Sequence, residues 1–332
     1  MIKFLYFTDT HIRGTAPKNR LDPFVETLKH KLHEVMEIAE TEKVDMLLHG
    51  GDVFDRPDLS PNVVGQFAQI FRKTSRPIYA IAGNHDTFGH NPETISRTML
   101  GLLHSFGIIH IIDPQTPVLV EKDGVKVQIS GQPYHYDIDQ RDPKLDYYPV
   151  NVHEADVMLH LVHSMLVEKA LPEGIPHTLI DHIWGTSADV LLTGHFHGGF
   201  GIKQKDGRYI CNPGAIARIN NHWTELVRTP TVILGTITKD GIDLKERPLQ
   251  SAKNGEEVLD RSFLEKSVNQ EEKLHAFIQQ VKEHAEFQSL NMNDVINEIA
   301  AMSNVEEPVK QEALRRITVI EEAWKGGEHE YD

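Results

Sequence analysis

The chain of 332 residues carries 34 Lys+Arg against 49 Asp+Glu, a net charge of −15. That balance argues against a protein that holds nucleic acid through a broad basic face. Its 39% hydrophobic and 25% charged content is that of a soluble globular protein, and no apolar run approaches membrane-spanning length.

Length alone predicts one large domain plus a smaller one. The opening MIKFLYFTDTH turns polar too soon for a signal peptide. The single cysteine, Cys211, excludes an intrachain disulfide, and a cytoplasmic location is expected. Residues 2–8 (IKFLYFT) read as a first strand. Asp22-Pro23 opens a helix, with Asp as N-cap and Pro at the first helical position; Phe24, Leu28, Leu32, Val35 and Ile38 give it one apolar face. VDMLLHGGD (44–52) is a strand running into a glycine turn. Ser60-Pro61 starts a second helix, with Val64, Phe67, Ile70 and Phe71 as its stripe. PIYAIAG (77–83) is a third strand, Asn91-Pro92 caps a third helix, and IIHII follows at 108–112. This alternation predicts a mostly parallel sheet covered by helices, with ligands at the carboxyl ends of its strands.

The middle of the chain changes character. PVLVEKDGVKVQIS, FGIKQKDGRYICN and TVILGTITKDGIDLKE read as hairpins turning at Asp123-Gly124, Asp206-Gly207 and Asp240-Gly241. ADVMLHLVHS (155–164) and ADVLLTGHFH (188–197) are apolar strands ending in histidines. Together these predict two packed sheets with helices outside. After residue 250 the strands stop. SAKNGEE reads as a linker, and 263–287, 291–302 and 307–324 as helices, so a catalytic domain over 1–250 precedes a helical region over 251–332. The latter holds 9 Lys+Arg against 18 Asp+Glu and only three of the 20 histidines.

Five short pieces carry the chemistry, each after an apolar strand: Asp9-Thr10-His11, Gly51-Asp52, Gly83-Asn84-His85-Asp86, His163, and Gly194-His195-Phe196-His197. Any one of them alone is more often a turn or a cap than a ligand. Five in one chain make a metal site the better reading. Imidazole with carboxylate and amide oxygen suits manganese, iron, zinc or nickel rather than calcium. A paired centre needs an anionic bridge, for which Asp52 is the obvious group. The glycines before Asp52, Asn84 and His195 are expected to let the backbone turn. His160 and His163 are three apart on one strand and so face opposite sides; His163, nearer the carboxyl end, is the better ligand and His160 reads as a buried neighbour. Arg13 and Arg218, each just after a motif-bearing strand end, are candidate phosphate contacts. His49 is a candidate neighbour of the ligands; Asp55, Arg56 and Asp58 follow the bridge, either as a solvated loop with a cap or as an orienter or phosphate contact, with the loop favoured for Asp58; Cys211 reads as packed core.

The series DTH, GGD, GNHD, H and GHFH resembles the calcineurin-like metallophosphoesterases over roughly residues 1–250. FTDTHIRG, HGGDVFDRP, YAIAGNHD and CNPGAIARI are similar to the double-strand-break repair nuclease subfamily that includes SbcD. The resemblance implies a four-layer α/β/β/α sandwich of two mixed sheets flanked by helices, with a C-terminal helical extension. It implies two divalent ions, manganese foremost. One would take Asp9, His11, Asp52 and His197, and the other Asp52, Asn84, His163 and His195. His85 would protonate or steady the leaving oxygen, and Asp86 would orient His85 by a hydrogen bond. The implied activity is exonucleolytic, and in addition endonucleolytic, cleavage of DNA in repair or recombination.

The helices after residue 250 carry apolar stripes: Leu264, Val268, Leu274, Phe277 and Val281; then Val295, Ile296 and Ile299; then Val309, Leu314, Ile317, Ile320 and Trp324. They either close the domain or dock a partner. The resemblance implies an SMC-like ATPase of the SbcC type there, DNA ends or single strands as substrate, and a homodimer as a further expectation; no membrane is expected. The alternative is a free-standing metallophosphoesterase acting on nucleotides or other small phosphoesters.

Overall fold

Both faces of the first strand are apolar, and the fold buries both. The structure, a computed structural model, describes residues 1–260, residue 262, and residues 307, 308, 310–312, 315 and 316. In chain order β1 (Ile2–Phe7) leads to α1 (Phe24–Thr41), β2 (Met46–His49), α2 (Pro61–Phe71) and β3 (Ile78–Ala80). Two 3-10 turns, Phe88–His90 and Pro92–Arg97, precede α3 (Met99–Ser105) and β4 (His110–Ile111). Then come β5 (Val118–Lys122), β6 (Val125–Gln132), a short α4 (Lys144–Tyr147) and β7 (Val157–Ser164). The two-residue strands β8 (Leu166–Val167) and β9 (Thr178–Leu179) and a third 3-10 turn, Ile180–His182, lead to β10 (Val190–His195), β11 (Gly201–Lys205) and β12 (Arg208–Asn212). A short α5 (Trp223–Val227), the hairpin β13 (Thr231–Thr238) and β14 (Gly241–Pro248), and α6 (Gly255–Val258) complete the unit.

Two six-stranded mixed sheets result, in the orders β14-β13-β1-β2-β3-β4 and β11-β12-β10-β7-β6-β5. In the first, β1 to β4 run parallel and β13 joins β1 antiparallel. In the second, β6, β7, β10 and β12 run parallel and the hairpin partners β5 and β11 close the edges antiparallel. Alternation along β1 decides its packing. Leu5 and Phe7 point to α1 and α2, among Phe24, Leu28, Leu32, Phe67 and Phe71. Ile2, Phe4 and Tyr6 point into the gap between the sheets, against Val127, Ile129, Leu159, Leu161, Val190 and Leu192. Cys211 lies in that same gap, fully buried. The far face of the second sheet is covered by α4, the turn at Ile180–His182 and their loops, through Ile138, Tyr147, Ile180 and Ile183. The layers are therefore helix, sheet, sheet, helix, with the second helical layer thin.

Local signals hold with small shifts. Ser60 caps α2 by accepting from the Val63 amide, with Pro61 at the first position. Pro23 rather than Asp22 is the N-cap of α1, and the Asp22 carboxylate instead accepts from Arg20 and Thr27. The third helix breaks in two at Thr98, whose side chain caps α3. The compact unit also runs past residue 250, to Asp260. The stretch read as a linker is bonded to it: the Gln250 and Ser251 amides donate to Glu34 at 2.7 and 2.8 Å, and α6 starts on a capping box between Asn254 and Glu257. The helices expected at 263–287 and 291–302, and most of that at 307–324, lie outside the described residues. Among the described residues no helix is long and apolar enough to cross a membrane.

Leu159 sits on the central strand of the second sheet and is fully buried between the sheets. Leu159→Ala is expected to lower unfolding stability by about 3 kcal/mol through lost transfer energy and a residual cavity. Urea unfolding checks this; a midpoint equal to the parent's would contradict the packing described.

Candidate metal centre

Five strand-end segments converge where the two sheets meet. The first sheet brings Asp9 and His11 after β1, Asp52 after β2, and Asn84 and His85 after β3. The second brings His163 on β7, His195 as the last residue of β10, and His197 just beyond it. Backbone bonds stitch the first loops together: the Asp9 amide to Gly51 O (3.1 Å), His11 to Asp52 O (3.0 Å) and Ile12 to Val53 O (2.9 Å). Asp9 (φ 52°), His11 (40°), Asp52 (52°) and His195 (76°) all lie in the left-handed region. Non-glycine residues seldom adopt it, and such strain collects where side-chain direction matters more than local preference.

The glycines act differently from the turn-making role expected of them. Only Gly51 (φ 101°) uses a positive φ. Gly83 matters for closeness: a Cβ there would lie 2.1 Å from Asp52 Oδ1.

Three groups of ligand atoms form: Asp52 belongs to two of them, and His11, Asp55 and His85 make the third. Asp9, His11, Asp52 and His197 make the first; Asp52, His163 and His195 make the second. In the first, His197 Nε2 is 3.5 Å from Asp9 Oδ1, His11 Nε2 is 3.6 Å from Asp52 Oδ2, and the two Nε2 atoms of His11 and His197 face each other at 3.0 Å. In the second, His163 Nε2 lies 3.3 Å from both Asp52 Oδ2 and Asn84 Oδ1. Asp52 Oδ1 accepts from the His85 amide at 2.9 Å. Asp52 Oδ2 is buried and accepts no hydrogen bond among the described residues. A buried carboxylate oxygen left that way calls for a cation. His163 Nδ1 bonds Gly50 O at 2.7 Å, which leaves Nε2 free to point into the centre. The donor set is imidazole nitrogen with carboxylate and amide oxygen, which fits a divalent transition ion.

Without a metal the cluster divides its protons unevenly. Burial pushes the imidazolium forms of His11 and His195 down to about 3 and that of His197 well below its ordinary range. Burial acts the same way on His163, but Asp52 and then Asp9 outweigh it and raise it to about 9. Burial raises Asp9 to about 6, whereas at Asp52 the pull of His163 overcomes burial and keeps its carboxylate ionised.

The structure corrects two assignments. Asp86 does not orient His85. Its buried carboxylate accepts from the amides of Phe54 and Gly83 (2.9 Å each) and Val53 (3.2 Å), clamping the β2 loop to the β3 loop; burial raises it to about 7. His85 Nδ1 instead bonds the Asp55 carbonyl at 2.9 Å. Arg218 does not face a substrate. Only 3% exposed, its guanidinium donates to the carbonyls of Lys253 and Arg228. Arg13 stays at the rim, 3.2 Å from the Asp55 carboxylate. Arg56 and Asp58 pair with each other on the surface. His160 is turned away from the centre onto Ser130 and the Asp146 carbonyl, and His49 bonds Thr10 beneath it.

Asp55, read from the sequence only as a loop residue that could orient a neighbour or meet a phosphate, joins the site, and so does Tyr134, which sequence reasoning passed over. Asp55 links His85, Arg13 and, at 3.8 Å, His11 Nδ1. Its only signal was its place three residues after the bridge. The Tyr134 ring lies tilted 5.6 Å from that of His195 and edge-on 6.4 Å from that of His163; it follows β6, a strand end of the same kind as the others.

With this geometry in place, comparison with known proteins gives the family. The calcineurin-like phosphoesterase pattern matches residues 2–199. The chain belongs to the calcineurin-like phosphoesterase family. Membership implies hydrolysis of phosphoesters at a dinuclear metal site, which the shared Asp52 suits. Among curated relatives of this phosphoesterase, the double-strand break repair protein mre-11 of Caenorhabditis elegans is 23% identical over 277 residues, covering 65% of this chain and 36% of the relative. The DNA double-strand break repair protein Mre11 of Archaeoglobus fulgidus is 25% identical over 258 residues, covering 73% and 55%. That of Thermoplasma acidophilum is 28% identical over 134 residues, covering 38% and 33%. The matches thus span between a third and just over half of the relatives' lengths.

His163→Ala is expected to lower bound metal by about one ion in two, since it removes a ligand and its link to Gly50, while His160→Ala keeps both. Elemental analysis of the purified variants reads this directly. Equal loss in both would reverse the choice between the two histidines.

Proposed function

We propose that this chain is a two-metal DNA nuclease, chiefly an exonuclease with endonuclease activity in addition, acting in double-strand-break repair within an SbcCD-like complex. The carrying observation is one buried carboxylate, Asp52, shared by two groups of ligand atoms at the meeting of the sheets. Relatives named for DNA double-strand break repair support the substrate. In this reading Asp9, His11, Asp52 and His197 hold one ion, and Asp52, Asn84, His163 and His195 the other, with manganese as the first candidate. When bound, the ions supply Lewis-acid activation of water and neutralise charge on the phosphate.

The chain's own residues do the rest. The Asp55 carbonyl occupies His85 Nδ1, so His85 turns Nε2 to the substrate and delivers a proton from that atom to the leaving oxygen. The Asp86 clamp holds the loops that carry Asp52 and His85 at fixed separation. Arg13, braced by Asp55, is placed to meet a phosphate at the rim. With a net charge of −15, affinity for DNA is expected to come largely from a partner, an SMC-like ATPase engaged through residues 261–332, or from a second copy of the chain.

The test is a manganese-dependent assay on linear DNA beside a chromogenic phosphodiester. His85→Ala is expected to keep both ions and to lose turnover on DNA by roughly 10²- to 10⁴-fold; a variant cleaving at the parent rate would remove the acid role. Wild-type activity confined to the small ester would overturn the nuclease reading in favour of a free-standing phosphoesterase. Deleting 261–332, which leaves the compact unit whole, is expected to spare the small-ester reaction and to abolish co-purification with the ATPase. An ATPase that still co-purifies would place its docking site elsewhere.

A further inference from the structure

Residues 212–218 (NPGAIAR) carry no ligand, yet they are bonded to two of the three segments that carry the first group. The Ala215 amide donates to His197 O (3.1 Å), Ile216 to Thr8 O (3.0 Å) and Ala217 to Asp9 O (3.2 Å). Asn212 Nδ2 donates to Phe196 O at 3.1 Å. The segment therefore lies along the backs of Asp9 and His197 as a strap.

The carbonyls of residues 215–218 point the other way, and each meets a cation. Arg228 takes two: Nη1 donates to Ala215 O (2.6 Å) and Nη2 to Ala217 O (2.9 Å). Lys31 Nζ donates to Ile216 O between them, and Arg20 Nη1 to Arg218 O at 3.0 Å. Glu225, 1% exposed, holds Arg228 Nη2 at 2.6 Å. Lys31 is 2% exposed. Burying four cations, Arg20, Lys31, Arg218 and Arg228, beside the carboxylates of Asp22 and Glu225 is costly, and apolar side chains would fill the same space more favourably. What apolar side chains cannot do is satisfy the carbonyls of residues 215–217, whose amides are turned towards ligand-bearing backbone.

We propose that Arg228 is a positioning residue: through residues 215–217 its guanidinium fixes the backbone of Asp9 and His197 and so sets the metal affinity of the first group, while the second group is little affected. The proposal rests on the ligand assignment above. Its selectivity follows from connectivity. Asp9 holds a left-handed backbone that its own loop does not favour, and the strap bonds it directly. Of the second group, Asn84 and His163 are carried by β3 and β7 segments that share no hydrogen bond with the strap among those described; His195 is reached only at one remove, its amide on the Asp9 carboxylate at 3.1 and 3.2 Å, and the shared Asp52 through the His11 amide, so the second group is affected less than the first.

The experiment is manganese titration of the full-length chain by calorimetry, with electron paramagnetic resonance to follow the coupled pair. Asp9→Asn and His163→Ala give the reference patterns for loss of the first and of the second group. Arg228→Gln is expected to reproduce the Asp9→Asn pattern, weakening the first ion by roughly 10- to 100-fold, the range for residues that orient ligands. Arg228→Lys, which keeps the charge but loses the fork, is expected to fall between it and the parent, and it stands in if the glutamine variant fails to fold. Leu159→Ala controls for general destabilisation and is expected to bind both ions as the parent does. A folded Arg228 variant with both affinities unchanged, or with both weakened equally, overturns the strap. An Asp9→Asn variant that keeps both ions overturns the ligand assignment itself, and the strap with it.

Discussion

The charge of Asp52 organises this molecule. Its carboxylate is buried between two sheets, one oxygen on the His85 amide and the other facing histidines on both sides without a hydrogen bond. A buried charge in that state is tolerable only where opposite charge is supplied close by. The surroundings are built for such a supply. Gly83 has no side chain because any Cβ would strike Asp52, and Gly51 turns in the left-handed region so that β2 delivers the carboxylate to the seam. His163 comes from the opposite sheet, with its far nitrogen already occupied by a carbonyl of the first. The centre therefore exists only when the two sheets are packed, and the apolar gap between them is as much a part of it as the ligands are.

That dependence explains where strain is tolerated. Four of the residues grouped around the centre hold left-handed backbone, at a cost on the order of a kcal/mol or more each. Each is held by bonds from outside its own loop: Asp9 by Gly51 and Ala217, His11 and Asp52 by each other, His195 through the Asp9 carboxylate. The Asp86 clamp and the 212–218 strap do the same work from opposite sides. One fixes the β2 and β3 loops to each other; the other fixes the β1 loop to the segment after β10.

What was legible in the sequence was what is local. A parallel strand presents its carboxyl end to a ligand, so an apolar run ending in Asp, Asn or His marks a candidate without knowledge of its neighbours. The three Asp-Gly turns were legible for the same reason, since the turn needs little beyond its own residues. Contacts across the chain were not. Asp86 looked like a partner for His85 because they are adjacent, but its side chain turns inward to amides more than thirty residues earlier. The group that does hold His85 is a carbonyl, which leaves no mark on residue type. Arg218 sat at a strand end like the ligands, and only the packed cluster of Arg20, Lys31 and Arg228 around it shows that it faces the interior. The polar stretch after residue 250 was no more legible, because it takes a capping box and a pair of amides on Glu34 to make it part of the compact unit.

The distribution of cations bears on how a phosphate would be held. Four of them are committed to backbone carbonyls behind the strap, where they order the centre but cannot meet a substrate. Arg13 remains at the rim, and its charge is already balanced by Asp55. Within an acidic chain this leaves little fixed positive charge beside the ligands. In the proposed reading the same ions must therefore both attract the phosphate and activate its attack, and a residue that governs their affinity governs substrate binding as well. Beside the ligands on the other side stand rings rather than cations: Tyr134 lies 5.6 Å from His195 and in turn meets His90 edge-on at 5.7 Å, with Tyr136 tilted 6.4 Å from His90, so the neighbourhood of the centre offers a phosphate little charge beyond what the ligands themselves hold.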